Sequence, residues 1–411
     1  MTLSRILALL VLSFSLPAHS LTNECGDFTS IDGTGYLVAP SGKDDTANIE
    51  CAFESATSQG LTSVKLEKGT FKVSSLVIEG FEGKFEGTNR SETQILLANN
   101  TLSCGDELLG SPALITFVGG NVSVNKMTLD VDRPCERGDS FSVLEFTQQS
   151  CSARTHFANV DRVSFTGPDA NSPDYSRAVA MVGKLACVED GKGPLGTFKL
   201  NRSSIDGFDV GVMTSLLGAG QVDINFNEFF DVTEAILVEN ANQSTTITGN
   251  DVEYYIHGVV AYTNKDYAPD QNRVVVHNNK FRQQSTGTIA LAVRVQTEEK
   301  RSSISTVISN NTFELIDRGV DDYIQAGVGI FDTDNAFVSN NRFEGSCTIG
   351  IYVDSFGFDI DAENTVITGN TFSQTNSYNS VDVYLGELTY KTIVGAQGAK
   401  TEDYGTQNKK L

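Results

Sequence analysis

A short phrase recurs through the second half of the chain and constrains its fold more than any other feature. It consists of an aliphatic residue, two small or polar residues, Asn, one further residue, then an aromatic or Val. The copies read Ile224-Asn225-Phe226-Asn227-Glu228-Phe229, Ile247-Thr248-Gly249-Asn250-Asp251-Val252 and Val276-His277-Asn278-Asn279-Lys280-Phe281. They continue as Ile308-Ser309-Asn310-Asn311-Thr312-Phe313, Val338-Ser339-Asn340-Asn341-Arg342-Phe343 and Ile367-Thr368-Gly369-Asn370-Thr371-Phe372. A degenerate earlier copy is Phe198-Lys199-Leu200-Asn201, and from Asn201 the fourth-position asparagines follow at steps of 26, 23, 29, 32, 30 and 29 residues. Self-similarity at such a spacing marks a repeat architecture.

The period inside each unit says which repeat. Between the Asn phrases lie alternating runs such as Gly258-Val259-Val260-Ala261-Tyr262, Gly350-Ile351-Tyr352-Val353-Asp354 and Val381-Asp382-Val383-Tyr384. A two-residue period belongs to strands with one buried face. Helical spacing is missing, and with it the helices that βαβ crossovers need. Units of this length with two or three short strands predict an all-β solenoid, a single-stranded parallel β-helix whose coils bury their apolar sides inward. The repeated Asn fits a tight turn, tolerating a left-handed backbone, and its amide can join a ladder with neighbouring coils. The Phe or Val after it is expected to stack inside.

Upstream, Gly42-Lys43-Asp44-Asp45-Thr46-Ala47-Asn48-Ile49 opens an amphipathic segment to Ser58, followed by Val64-Lys65-Leu66-Glu67-Lys68-Gly69-Thr70-Phe71. With the repeats, these phrases resemble the right-handed parallel β-helix superfamily typified by pectate lyases, over roughly residues 30 to 390. The resemblance implies an N-terminal capping helix, begun by an Asp-Asp-Thr phrase, over the open end of the coils. Asp45 or Thr46 is then the N-cap, and the helix covers strand edges that would otherwise be exposed. The expected layout is a leader at 1–20, a cap region at 21–60, coils at 61–390 and an irregular tail at 391–411.

Arg5, the apolar run Ile6 to Leu16 and Ala18-His19-Ser20 have the pattern of a signal peptide, so the chain is expected to be secreted, periplasmic or extracellular. No later stretch is long and apolar enough to span a bilayer. In an oxidising compartment the seven cysteines should pair, with one left over. Short loops suggest Cys25 with Cys51, Cys104 with Cys135 and Cys151 with Cys187, leaving Cys347. The formal charge is -22, which argues against nucleic acid as a partner. The expected partner is an extracellular polysaccharide, bound by a monomer. Six Asn-x-Ser/Thr sequons begin at Asn89, Asn99, Asn121, Asn201, Asn242 and Asn310; they matter only in a host that glycosylates.

The superfamily's best-known catalytic motifs are missing. Polygalacturonases carry Asn-Thr-Asp, Asp-Asp, Gly-His-Gly and Arg-Ile-Lys in that order; this chain has Asp321-Asp322 without its companions and His257-Gly258 without the leading Gly. The Asp-Pro-His-Asp phrase of alginate epimerases and the Asp-His phrase of typical pectate lyases are also missing. Candidate residues therefore follow from position. With aliphatic residues turned inward, the outward positions on successive coils are Glu239, Val260 with Tyr262, Arg294 with Gln296, Gly329 with Phe331, Tyr352 with Asp354, and Asp382 with Tyr384. Glu239, Phe331, Tyr352 and Tyr384 become candidates for binding an extended glycan.

Arg294 interrupts the apolar run Ile289-Ala290-Leu291-Ala292-Val293. As a catalytic group for β-elimination it would neutralise a uronate carboxylate or withdraw the C5 proton, with Tyr262 or His257 carrying a proton. The other reading is a solvated Arg paired with Glu239 or Asp354. His257 can carry a proton in such a reaction or serve as a turn residue bonded to backbone. Asp332, Asp334, Asp354 and Asp359 fall in loops that should stack, offering oxygen ligands for Ca²⁺ or forming ordinary solvated surface. A polysaccharide lyase and a non-catalytic adhesion module both remain open, the absence of Trp favouring the second.

Overall fold

The computed structural model describes residues 23, 25–98, 102, 112–132, 140–148, 157–170, 175–183, 196–215, 220–239, 242–263, 273–284, 290–298, 305–316, 325–345, 349–356, 360–374, 381–395 and 398–411. The leader, Cys104, Cys135, Cys151, Cys187, Cys347 and Asp359 lie outside the described residues. Among the described residues, the strands form a 15-stranded sheet, a 20-stranded sheet and a two-stranded patch. Pairing between coils is parallel and in register. The first aliphatic residue of each phrase forms one buried row, Ile224, Ile247, Val276, Ile308, Val338 and Ile367, continued by Val394. A second row runs Phe229, Val252, Phe281, Phe313, Phe343, Phe372.

The rings of Phe281, Phe313, Phe343 and Phe372 stack with centroids 5.3, 4.8 and 4.9 Å apart and planes within 18°. The coil repeat thus sets the ring spacing. Room for the rings comes from glycine. A Cβ on Gly258 would stand 2.7 Å from the Phe281 ring, and one on Gly350 2.7 Å from Phe372.

The fourth-position asparagines form a buried ladder. Each of Asn227, Asn250, Asn279, Asn311 and Asn341 donates both its backbone N–H and its Nδ2 to the Oδ1 of the next, at 2.9–3.0 Å, ending on Asn370. The same Nδ2 groups also donate to backbone carbonyls from Leu200 to Ile308, and that of Asn370 to Val338. The left-handed residue is not this Asn, as the sequence suggests, but its predecessor. Phe226, Gly249, Asn278, Asn310, Asn340 and Gly369 have φ between 53° and 68°. The reversal occurs one residue earlier, leaving the fourth residue free to aim its amide inward along the axis.

The helix Thr46–Gln59 closes the first end. Phe53 meets Phe81, Phe85 and Phe117 edge-on at 4.9, 5.1 and 5.8 Å. Asp45 holds the N-cap position, but its carboxylate accepts from the backbone N–H groups of Ser41 and Lys72 instead. The Asp44 carboxylate accepts the Thr46 N–H at 2.9 Å. Gly60, at φ 67°, ends the helix as a left-handed C-cap. Cys25 and Cys51 form a disulfide, tying the segment before the first strand to the helix. At the other end, the described residues in the stretch expected as an irregular tail include three short strands. Ile393–Gly395 pairs in parallel with Val366–Thr368 on one side and Lys409–Lys410 on the other, and Thr401–Asp403 pairs with Val381–Leu385, so Thr401–Asp403 and Lys409–Lys410 add a further coil.

Candidate functional site

Inward residues Val238, Ala261, Val295, Ile330, Val353 and Leu385 alternate with two outward rows, as the sequence predicts. One row is Ser215, Glu239, Tyr262, Gln296, Phe331 and Asp354. The other is Val260, Arg294, Gly329, Tyr352, Tyr384 and Glu402. These rows bring Arg294 and Tyr262 together at adjacent coils. His257 lies three positions before Val260 on the same strand, paired with Leu291.

The polar cluster is dense with carboxylates. His257 Nδ1 is 2.8 Å from Glu234 Oε1, and its Nε2 is buried. The Tyr262 hydroxyl donates to Glu298. Burial raises the Tyr262 pKa, and the bond to Glu298 and the charges of Glu298 and Glu239 raise it further, against Arg294. Burial also raises Glu239, which accepts from Ser215 Oγ at 3.3 Å. Arg294 Nη2 donates to Gln296 Oε1, and its guanidinium carbon sits 4.9 Å from the Phe356 ring centroid. Burial lowers the Arg294 pKa while Glu234, Tyr262 and Asp332 oppose the shift. The carboxylates acting on it are therefore Glu234 and Asp332; sequence reasoning missed Glu234 because it lies five residues before the assigned outward position.

Toward the C-terminal end the face becomes aromatic. Tyr352 and Tyr384 have ring centroids 5.0 Å apart, and Tyr404 extends the row at 5.5 Å with 56% of its surface exposed. Tyr404 belongs to the stretch expected as a tail, so no alternation pointed to it. The Tyr352 hydroxyl donates to Asp354 at 3.1 Å, and burial together with that carboxylate raises its pKa. Phe331 points outward as expected but is 1% exposed, packed against Tyr352 and Phe356. Its ring lies over Gly329, where a Cβ would meet it at 2.5 Å. Phe331 is thus packing beneath the tyrosines, not a face offered to a ligand.

The acidic loops serve the fold. Asp332 is 1% exposed, and its carboxylate accepts from Ser355 Oγ at 2.6 Å, Phe356 N–H at 3.1 Å and Gln296 Nε2 at 3.3 Å. Asp334 accepts the Glu363 N–H, and Asp354 the Tyr352 hydroxyl. Among the described residues no group of three or more His, Cys, Asp or Glu is placed to hold a metal.

A second group escaped the sequence reading. Glu145 and Arg177 are 5% and 2% exposed on the outward side of earlier coils. Burial pushes the Glu145 carboxyl up to about 7, against the opposing charge of Arg177. Neither interrupts a phrase copy, because the phrases begin downstream.

Among the described residues no helix is long and apolar enough to cross a membrane. No curated protein matches the chain in sequence. Among solved structures it is similar to the Dettilon tailspike protein (gp208), at 13% identity and TM-score 0.56, over 91% of this chain and 66% of that one. It is similar also to the N-terminal fragment of the bacteriophage phi29 gene product 12, at 15% identity and TM-score 0.57, over 89% and 61%. The chain thus spans less than two thirds of either. At such identity the likeness is one of fold. Residues 234–408, rather less than half of the chain, match the family described as "Right handed beta helix region", and the parallel coils on either side of that boundary give the chain the parallel β-helix fold that its sequence resembles, with no one enzyme family marked out within it.

Proposed function

We propose that this is a secreted protein that binds an extracellular polysaccharide along its outward face and cleaves it by β-elimination at the Arg294 cluster. The observation that carries the binding is the row Tyr352, Tyr384 and Tyr404, with centroids 5.0 and 5.5 Å apart. Sugar rings pack on aromatic faces, and a row at coil spacing follows an extended polymer. In this reading Arg294 takes the uronate carboxylate. His257, backed by Glu234 on Nδ1, removes the C5 proton through Nε2, which is buried here and which bound substrate must first uncover; the C4–O bond breaks as the C4–C5 double bond forms. Tyr262, whose hydroxyl is the proton donor nearest Arg294 on the face and is held by Glu298, protonates the departing oxygen.

A non-catalytic glycan-binding module is the second reading. It is favoured by the bonds that already occupy the cluster: Arg294 to Gln296, Tyr262 to Glu298. The experiment is ultraviolet absorbance of unsaturated uronate ends during incubation with pectate, alginate and glycosaminoglycans, each with Ca²⁺ and with chelator. A rising signal, lost in Arg294→Ala, is expected. A flat signal across the panel, with binding that Tyr384→Ala and Tyr404→Ala weaken, would leave the binding module. Binding unaffected by both tyrosine variants would remove the polysaccharide reading of this face.

A further inference from the structure

The left-handed turn positions line up on successive coils as a ridge on the 15-stranded sheet side, away from the outward rows. Register pairs Asn125, Asp161, Asn201, Asn225 and Thr248, so the residues that follow them are neighbours: Lys126, Arg162, Arg202, Phe226 and Gly249. All five have φ between 49° and 68°. Later coils place Asn278, Asn310, Asn340 and Gly369 here, residues that tolerate this backbone well. The earlier coils instead use two arginines, a lysine and a phenylalanine. Phe226 stands out twice, since a bulky residue is strained at positive φ and its side chain is 62% exposed. Gly249 is shaped to it: a Cβ there would lie 2.7 Å from the Phe226 ring. The ring therefore lies against the next turn, at the edge of a shallow groove that Asn278, Lys280, Asn310 and Asp251 also line, Asp251 being paired with Arg282.

The charges concentrate beside it. Side chains of Lys126, Arg162 and Arg202 are 39%, 48% and 60% exposed. Arg90, also exposed, donates from Nη1 to the Arg202 carbonyl at 3.4 Å. Among the described residues two carboxylates answer these four cations. Asp161 meets Arg162 at 3.0 Å and Arg202 at 2.7 Å, and Glu86 lies 3.6 Å from Lys126. On a chain of formal charge -22, this is a local surplus of positive charge ending in an exposed aromatic.

We infer that this ridge is a second binding strip, which takes an acidic polysaccharide, its carboxylates or sulfates on Arg90, Lys126, Arg162 and Arg202 and a sugar ring on Phe226. The strip runs along the coil axis over three coil steps of about 4.8 Å each, the direction and scale of a short stretch of linear polymer. Nucleic acid fits less well, because the rest of the chain repels a long polyanion of high charge density. The strip does not require the outward face to be catalytic.

The test is calorimetric titration of the full chain with polygalacturonate, chondroitin sulfate, neutral dextran and oligothymidylate at two salt concentrations. The variants are Lys126→Gln with Arg162→Gln, which leaves Arg202 on Asp161, and Phe226→Asn, which installs the residue that later coils carry at this turn. Binding of one of the two acidic polysaccharides, weakened by added salt and at least tenfold poorer in both variants at unchanged melting temperature, is expected. Tyr384→Ala with Tyr404→Ala should leave that salt-dependent binding in place, which separates this strip from the outward face. Variants that bind like the parent, equal affinity for dextran, or equally tight oligothymidylate would overturn the assignment.

Discussion

A single residue decides whether the phenylalanine stack fits. Gly258 faces the Phe281 ring at 2.7 Å and the Ala292 carbonyl at 2.6 Å from a would-be Cβ. Neither neighbour is the free end of a flexible side chain. Gly258→Val should therefore cost about 3 kcal/mol or more, beyond ordinary overpacking, read as a lowered melting temperature; a melt like the parent's would mean the coil relaxes freely. At Arg294 the reverse holds. It is half-buried and its bonds are to Gln296 and the Phe356 ring, so Arg294→Ala should change stability by no more than about 1–2 kcal/mol while abolishing any elimination. Loss of activity with an intact melt is the outcome that makes it functional.

At the scale of an element, the asparagine ladder is the strongest polar feature. Asn311 Oδ1 accepts from both the N–H and the Nδ2 of Asn279, and its own Nδ2 reaches Asn341 and Val276. Asn311→Ala leaves two buried donors without their acceptor, so it should cost about 2–4 kcal/mol. Asn370→Ala, at the end of the ladder, removes the same acceptor for Asn341 but breaks no bond onward, and is expected to cost less. Chemical denaturation of both variants checks the order. The ladder was legible because one residue type recurs at a fixed place in each phrase, and inward packing follows from two-residue alternation. The last coil was not legible, because Thr401–Asp403 and Lys409–Lys410 are too short and polar to alternate. The site was readable only where it shares the alternation. Arg294 and the tyrosines could be assigned a face, whereas the burial of Phe331 depends on Phe356, a residue from a loop. Glu234 met His257 because their strands pair, a register that the irregular unit lengths hide.

The whole molecule carries its charge unevenly, and this sets its response to pH. Glu145 is 5% exposed, and its burial pushes the carboxyl up to about 7. In the unfolded chain it returns to the ordinary glutamate range, near 4.3. Between those two values the folded chain holds a proton that the unfolded chain has released, so stability falls as pH rises through this window. Burial raises Glu50, Asp130, Asp206 and Glu239 in the same direction, and self-repulsion of a chain at -22 adds to the trend. The melting temperature is therefore expected to be higher at pH 5 than at pH 8. Glu145→Gln isolates one group from the general repulsion: it stays neutral at both values, so the difference between pH 5 and pH 8 should shrink. Because Arg177 is buried nearby and favours the charged form, the variant should gain most at pH 8 if desolvation outweighs that attraction, as the raised carboxyl implies. A melting temperature that climbs from pH 5 to pH 8, or a variant with the parent's full pH dependence, would mean that the Arg177 charge dominates and that Glu145 stays ionised in the folded chain.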